Sequence, residues 1–541
     1  MCDNDKLNQM ILNNKYIENN TEFKSDICII GSGMSAQLLA STLKNKKIII
    51  VESGKIGLDN KIQELNSFKE EGFKFRDNYK NRIRQLGGSA NLWANQLMTL
   101  SSDEVDNRKW IVDDFSWPTT YDKLVGYYER VINLIYKKNF QPEDFFLDFN
   151  QKYKSKIEDH LLSDGTFSFN DHFWPSKVQN FNLNSKFTKN LLMSKNIEFL
   201  ENFTCTNLYF DEKIKNVKNI DIQSNNKSCK IFSKIFILAC GALENARIIL
   251  NNAEKNKILV NKNTGRYFMD HPRQTLGTLR LKKNYNLNSL YGIKKFKNSF
   301  RRSLQLSSNL KIENKLLNSY CFLEPSFSDE DLLFFDDIIN DIKNLLKLSR
   351  FPRINFKKFN INKIFQLIYF ILPPQSSNSM LNNLIYNYLN LIKPKLIFKE
   401  LNLQYQSEQF PNYDSRIYLG KDLDIYNQKK LIIDWKLDSS DYRTSEFFLK
   451  TFKNKFVSSR YFLFNESQNK EIMDASHHSG TTRMSHHRDD GVIDLNNKFH
   501  DLDNLFISGS SAFRISGSSN PGLTNMAMSL RLGDHINNNL L

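Results

Sequence analysis

The chain has 541 residues, 40% hydrophobic and 13% aromatic, which is too rich in apolar side chains for a disordered polar chain and ample for more than one buried core. Lys and Arg number 75 against 59 Asp and Glu, a formal charge of +16. The basic residues are spread along the chain and accompany no nucleic-acid fold signature, so a solvated basic surface is expected and a nucleic-acid groove is not.

Six cysteines without CxxC spacing argue against a disulfide framework or a zinc ribbon and for a reducing compartment. The opening MCDNDKLNQMILNNKYIENN has no basic stretch followed by an apolar run, so no export signal is expected and the reading is cytoplasmic. From Asp26 the chain reads DICIIGSGMSAQLLASTLKNKKIIIVES: an apolar strand, a glycine turn, a helix, a second apolar strand and then Glu52. This is one βαβ dinucleotide-binding unit. Gly31 permits the turn, Gly33 lets a pyrophosphate approach the helix N-terminus, and Ala36 keeps the helix close to the sheet. Glu52 stands where a carboxylate meets ribose hydroxyls. The fingerprint serves NAD and FAD alike.

Next comes Arg84-Gln-Leu-Gly87-Gly88-Ser89-Ala90-Asn91-Leu92-Trp93, whose paired glycines allow close backbone approach to a planar or anionic group. Lys234 to Leu250 reads as a second strand, small-residue turn with Gly241, and helix. Thr264 to Pro272 follows, its His271-Pro272 reading as the end of a loop. Residues 275–470 read as a substrate domain with strands near 276–282 and 401–406 and a strand-to-helix step in LIIDWKLDSSDYRTSEFFLKTF. Within it, Asp329 to Phe398 reads as a helical insertion, a lid or an oligomer contact. Its apolar run Ile364 to Leu372 is about half the ~20 residues of a membrane span, which permits peripheral membrane contact at most.

Six of the nine histidines lie between His477 and His535. No HExxH helix or cysteine partner accompanies His477-His478 or His486-His487, so no metal is assigned. NLFISGSS is a strand running into the turn at Gly509 and Ser510, and a final helix is expected with Asn520 as N-cap and Pro521 near its first position.

Taken in order, GSGMSA with Glu52, LGGSANLW, ILACGALENARIIL, GRYFMDHP, EQFPNYDSRIYL, HHSGTTRM, NLFISGSSAF and SGSSNPGLTNMAMSLRLGDHI resemble the glucose-methanol-choline (GMC) flavoprotein oxidoreductases. The nearest resemblance is to bacterial sugar and glycoside members such as pyranose and C-glycoside oxidases. It implies an α/β, overall α+β, fold: a Rossmann-like FAD-binding domain built from residues 1–150, 201–274 and 471–541, with 151–200 connecting and an antiparallel-sheet substrate domain over 275–470. It favours FAD, held noncovalently since no histidine motif for attachment is seen. It implies that Gly31, Gly33, Met34, Ser35 and Glu52 hold the ADP half, and that Gly87, Gly88, Ser89 and Asn91 line the flavin side. Gly241, Gly509, Ser510, Pro521, Gly522 and Leu523 complete the implied cofactor site. It implies His477 as general base for an alcohol, the hydroxyl of a sugar or glycoside in this branch of the family, with Asn520 orienting the alcohol oxygen and hydride passing to flavin N5. The acceptor is open among oxygen, a quinone and others, as is the oligomeric state. Two readings stay open beside it: a GMC-fold lyase or fatty-acid photodecarboxylase without net substrate redox, and a basic binding protein with a vestigial flavin site.

Overall fold

A computed structural model of the chain describes residues 11–13, 16–75, 81–136, 162–174, 181–282, 294–295, 299–326, 335, 338 and 400–540, apart from 94, 107, 113–114, 226, 258–259 and 458–460. The insertion expected over 329–398, with its apolar run, lies almost wholly outside the described residues.

The first sheet has eight strands among the described residues. Strands β1 (Ile11–Asn13), β6 (Ile197–Glu201), β3 (Ile48–Glu52), β2 (Glu22–Ile30) and β9 (Lys227–Leu238) lie side by side and parallel. β8 (Val217–Ser224) and β7 (Thr204–Phe210) continue the sheet antiparallel, and β18 (Leu505–Ile507) joins the far end of β9 in parallel. Parallel strands are buried on both faces and so are written as continuous apolar runs. The runs ICII, IIIV and IFIL are such strands.

Their alternate residues serve two cores. Ile27, Ile29, Ile48 and Ile50 pack with Ala36, Leu39 and Ala40 of helix α1 (Met34–Thr42). Cys28, Ile30, Ile49 and Val51 face the other way, toward Leu124, Tyr128, Val131 and Ile135 of α2 (Tyr121–Ile135). Helix α3 (Gly241–Asn256) follows β9 directly.

The second sheet is antiparallel, in the order β11 (Lys294–Lys295), β12 (Ser299–Leu306), β13 (Ser319–Pro325), β14 (Glu400–Ser407), β10 (Arg273–Leu281) and β17 (Phe462–Glu466), with β5 (Phe167–Trp174) beside β12. One face is covered by α4 (Ser439–Val457), whose Phe448, Phe452 and Phe456 recur every four residues and so form one stripe against Leu279, Leu304, Leu403 and Tyr405. The other face of β13 and β14 carries Tyr320, Phe322, Glu324, Gln404 and Gln406 toward the first domain.

Two boundaries differ from the sequence reading. The first-sheet strand β6 begins at Ile197, so the second cofactor-domain segment starts ahead of residue 201. The hairpin β15 (Arg416–Leu423) and β16 (Lys429–Asp434) leaves the substrate sheet and forms a third sheet with β4 (Phe68–Glu70), its Ile417, Leu431 and Ile433 packing on Leu243 and Ala246 of α3. Its local pattern specifies strands but not the sheet they join.

The buried pair Arg108 and Glu408 ties the two domains, with guanidinium nitrogens 2.6 and 3.0 Å from the two carboxylate oxygens. Among the described residues no helix is long and apolar enough to cross a membrane.

Candidate active site

The turn after β2 shows two different uses of glycine. Gly31 has φ +103°, and a Cβ there would lie 2.5 Å from the Ala239 carbonyl oxygen, so the turn is locked against the end of β9. Gly33 has ordinary φ of −66°, and a Cβ there would meet only the Gly87 carbonyl oxygen at 3.9 Å. Among the described residues nothing requires glycine at 33; the missing side chain keeps the approach to α1 open. Gly33 caps α1 without a side-chain hydrogen bond, and the first turn holds no acid, so its N–H groups and the positive end of its dipole remain available to an anion.

At the end of β3, Glu52 Oε2 accepts from the backbone N–H (3.1 Å) and hydroxyl (2.6 Å) of Ser32, and Oε1 accepts from Gly54 N–H (2.8 Å). Burial pushes its pKa up, against the opposing pull of Ser32 and Gly54. Ser32 was not singled out by the fingerprint; a hydroxyl between the two glycines was its only signal. Deeper in, Glu244 of α3 sits between Arg84 (2.8 Å) and Arg247 (3.3 Å). Burial works to raise its carboxyl, but Arg84, Arg247 and Arg82 outweigh it and leave the pKa at about 2.

These groups line a cleft of about 690 Å³ between the two sheets, a volume in the range of cofactor sites. Gly31, Gly33, Met34, Ser35, Glu52, Gly88, Ser89, Gly241, Ser510, Pro521 and Gly522 line it, and so do His477 and Asn520. Gly87, Asn91, Gly509 and Leu523 do not. Gly87 is a left-handed turn residue whose N–H donates to Ser32 Oγ, and Asn91 turns inward to donate to the Leu86 and Gly88 carbonyls. Gly509 is likewise a turn residue, at φ +134°. Leu523 is fully buried, because one helical step past Gly522 swings its side chain into the core.

The last helix, α5 (Gly522–Asn539), has Pro521 as N-cap, with neither a side-chain cap nor an acid in its first turn. Asn520 therefore stands one residue ahead of the expected position. Its Nδ2 donates to Gln96 Oε1 (2.5 Å), and Gln96 Nε2 in turn pairs with His172 Nδ1 (2.7 Å).

His477 comes from the other side of the cleft. Its loop is stitched to the GRYFMDHP segment by reciprocal backbone bonds between Met269 and Ser479 (3.0 and 2.9 Å). Buried Asp270 Oδ1 accepts from the backbone N–H groups of His271 (2.6 Å), His477 (3.0 Å) and Ala475 (3.2 Å). Ser476, just ahead of the histidine, adopts left-handed φ of 59°. His477 Nδ1 lies 2.9 Å from His271 Nδ1, the two rings edge to face. Enclosure, then the nearby His271 and Arg273, hold the pKa of His477 well below its ordinary value, so the ring is a neutral proton acceptor at pH 7. The His271-Pro272 step that reads as a loop ending thus supplies the partner of His477. Exposed His486 and His487 lie away from the cleft, and no metal-holding group of three or more His, Cys, Asp or Glu occurs among the described residues.

Residues 411–529 match the family model described as GMC oxidoreductase. No curated protein matches the chain in sequence. Among solved structures it is similar to a variant of formate oxidase from Aspergillus oryzae, at 13% identity and TM-score 0.57 over 96% of this chain and 99% of that one. It is similar also to pyridoxine 4-oxidase from Mesorbium loti, at 14% identity and TM-score 0.56 over 95% and 99%. The cofactor that the family match and the fold imply is FAD, and the cleft fits it: two helix N-termini open onto it, Gly33 leaves room, and Trp93 Nε1 and Asn520 Oδ1 are buried there without a hydrogen-bond partner among the described residues. The chain thus matches the GMC oxidoreductase model in its C-terminal segment, and its fold, a Rossmann-like domain beside a sheet-rich one, is similar to that of formate oxidase and pyridoxine 4-oxidase.

Proposed function

We propose that the protein is an FAD-dependent oxidoreductase that oxidises an alcohol group of a sugar or glycoside to a carbonyl. The observation that carries this reading is that His477, held neutral, shares with Asn520 a cleft onto which the N-terminus of α5 opens. FAD, when bound, supplies the two-electron acceptor. His477 takes the hydroxyl proton of the substrate as general base. Asn520 has a second Nδ2 hydrogen beyond the one given to Gln96, and with it orients the substrate oxygen. The uncapped start of α5 favours negative charge that develops beside it.

The described part of the substrate wall supports a polyhydroxylated substrate. Tyr320, Gln404, Gln406 and Glu324 make one sheet face of the cleft a polar wall, which suits a polyhydroxylated substrate better than an aliphatic chain or a fatty acid. The test is an absorption spectrum of the purified protein followed by anaerobic addition of sugars, glycosides and aliphatic alcohols. A sugar or glycoside should bleach the flavin band, and His477→Ala should keep the flavin while slowing bleaching by about 10²-fold or more. Near-normal reduction in that variant removes His477 from the role; a yellow protein that no alcohol bleaches overturns the reading.

A further inference from the structure

The two histidine rings meet Nδ1 to Nδ1 at 2.9 Å, so one nitrogen of the pair carries a hydrogen and the other does not. The surrounding groups decide which. Arg273 Nε can only donate, and it lies 2.6 Å from Gln406 Oε1, which fixes that atom of the amide as the carbonyl oxygen. The other end of Gln406 is therefore its NH₂ group, a donor only. That group reaches the Tyr320 hydroxyl at 2.5 Å, lies 3.1 Å from His271 Nδ1 and is more distant, 3.5 Å, from the Ser518 carbonyl oxygen. His271 Nδ1 must then be a lone pair. Burial holds the ring neutral, with a single ring hydrogen, and since Nδ1 does not carry it that hydrogen belongs on Nε2. With a lone pair facing it, His477 Nδ1 must be the protonated nitrogen.

We propose that Arg273, Gln406 and His271 form a relay of donor and acceptor polarity that fixes His477 as its Nδ1–H tautomer, leaving Nε2 as the basic lone pair available in the cleft. The relay is a positioning device; it rests on the reading of His477 as general base and adds how that base is set. The hydrogen bonds run from guanidinium to amide to imidazole and converge on the His271 Nδ1 lone pair, to which the second imidazole donates as well. Burial, which brings the pKa of His271 down to about 4, keeps that ring neutral across the working range, so the polarity does not reverse. When Nε2 takes a proton, Nδ1–H keeps its acceptor and His477 does not reorient.

The experiment uses the FAD-loaded protein labelled with ¹⁵N-histidine. Long-range proton–nitrogen spectra report which nitrogen of each neutral ring carries hydrogen, and the His477 signals are identified by their loss in His477→Gln. The expected result is His477 protonated at Nδ1 and His271 at Nε2. His271→Leu should leave His477 as a mixture of tautomers and slow flavin reduction by roughly 10- to 100-fold, the usual effect of losing a group that orients a reactive side chain, with little change in substrate affinity. His271→Asn, which restores an acceptor, should recover the tautomer and most of the rate. Gln406→Glu removes the donor facing His271 and should shift His477 toward Nε2–H. Wild-type His477 protonated at Nε2 overturns the relay whatever the variants do, as does a His271→Leu protein with an unchanged tautomer and rate. If His477→Ala is itself reduced normally, the catalytic reading fails while the tautomer measurement still decides the relay.

Discussion

Asp270 holds the active-site loops together with one oxygen and strains them with the other. Its Oδ1 accepts three backbone N–H groups, while its enclosed Oδ2 has no hydrogen-bond partner among the described residues and lies 3.6 Å from His478 Nε2, which has none among them either. Burial and then the charge of Asp474 raise the carboxyl from 3.8 to about 7, and His478 is pushed down to about 3 by burial and Arg82. The comfortable state is thus a protonated carboxyl beside a neutral imidazole. Because the folded-state pKa is raised, the stability this group contributes is full below pH 3.8 and is lost as pH rises through 7. At about 1.4 kcal/mol per pH unit across that interval, the ionised carboxylate costs up to about 4 kcal/mol at pH 8. Asp270→Asn keeps the oxygen that accepts the three N–H groups and puts an uncharged NH₂ beside His478. The variant should gain on the wild type by up to about 3 kcal/mol between pH 5 and pH 8, read from urea unfolding of the FAD-loaded proteins. Asp270→Ala strands three buried donors at about 1–3 kcal/mol each and should lose at least about 3 kcal/mol at low pH, a loss that shrinks toward pH 8 as the wild type takes on the cost of its carboxylate. An Asn variant as unstable as the Ala variant, or a difference that does not grow with pH, would refute the reasoning.

The two turn glycines should respond oppositely. Gly33→Val should fold with an unchanged unfolding midpoint for the apoprotein yet bind no FAD, whereas Gly31→Ala, forced 2.5 Å from a carbonyl at φ +103°, should destabilise the apoprotein itself; calorimetry with and without added FAD separates them. Arg108→Ala leaves Glu408 charged and wholly enclosed, and should cost about 3–5 kcal/mol in urea unfolding.

The cofactor sheet was readable because parallel strands buried on both faces are written as unbroken apolar runs, and the turn at Gly31 and Gly33 because a phosphate cradle restricts residue types. The last helix was readable to within one residue; Pro521 already has helical dihedrals, so the cap moved off Asn520. Contacts between distant segments were less accessible. Nothing local in His271-Pro272 announces a bond to a ring 206 positions later, and Ser32 gains its meaning only when Glu52 is brought to it from the next strand. The hairpin at 416–434 shows the same gap between forming a strand and choosing its neighbours.

The placement of β18 against β9 bears on how the molecule is made. Leu505, Phe506 and Ile507 pair with Phe236, Ile237 and Leu238, and α5 supplies Leu523, Met526, Ala527, Leu532 and Ile536 to the cores on both faces of the same sheet. During synthesis the N-terminal strands emerge with their apolar faces incomplete, and they wait through the whole substrate domain for the pieces that cover them. Such distant pairing slows folding and leaves partly built sheets exposed to association. A ribosome-bound chain lacking its last helix holds only part of the cleft, which makes cofactor capture a late event, and one that follows assembly of the substrate domain.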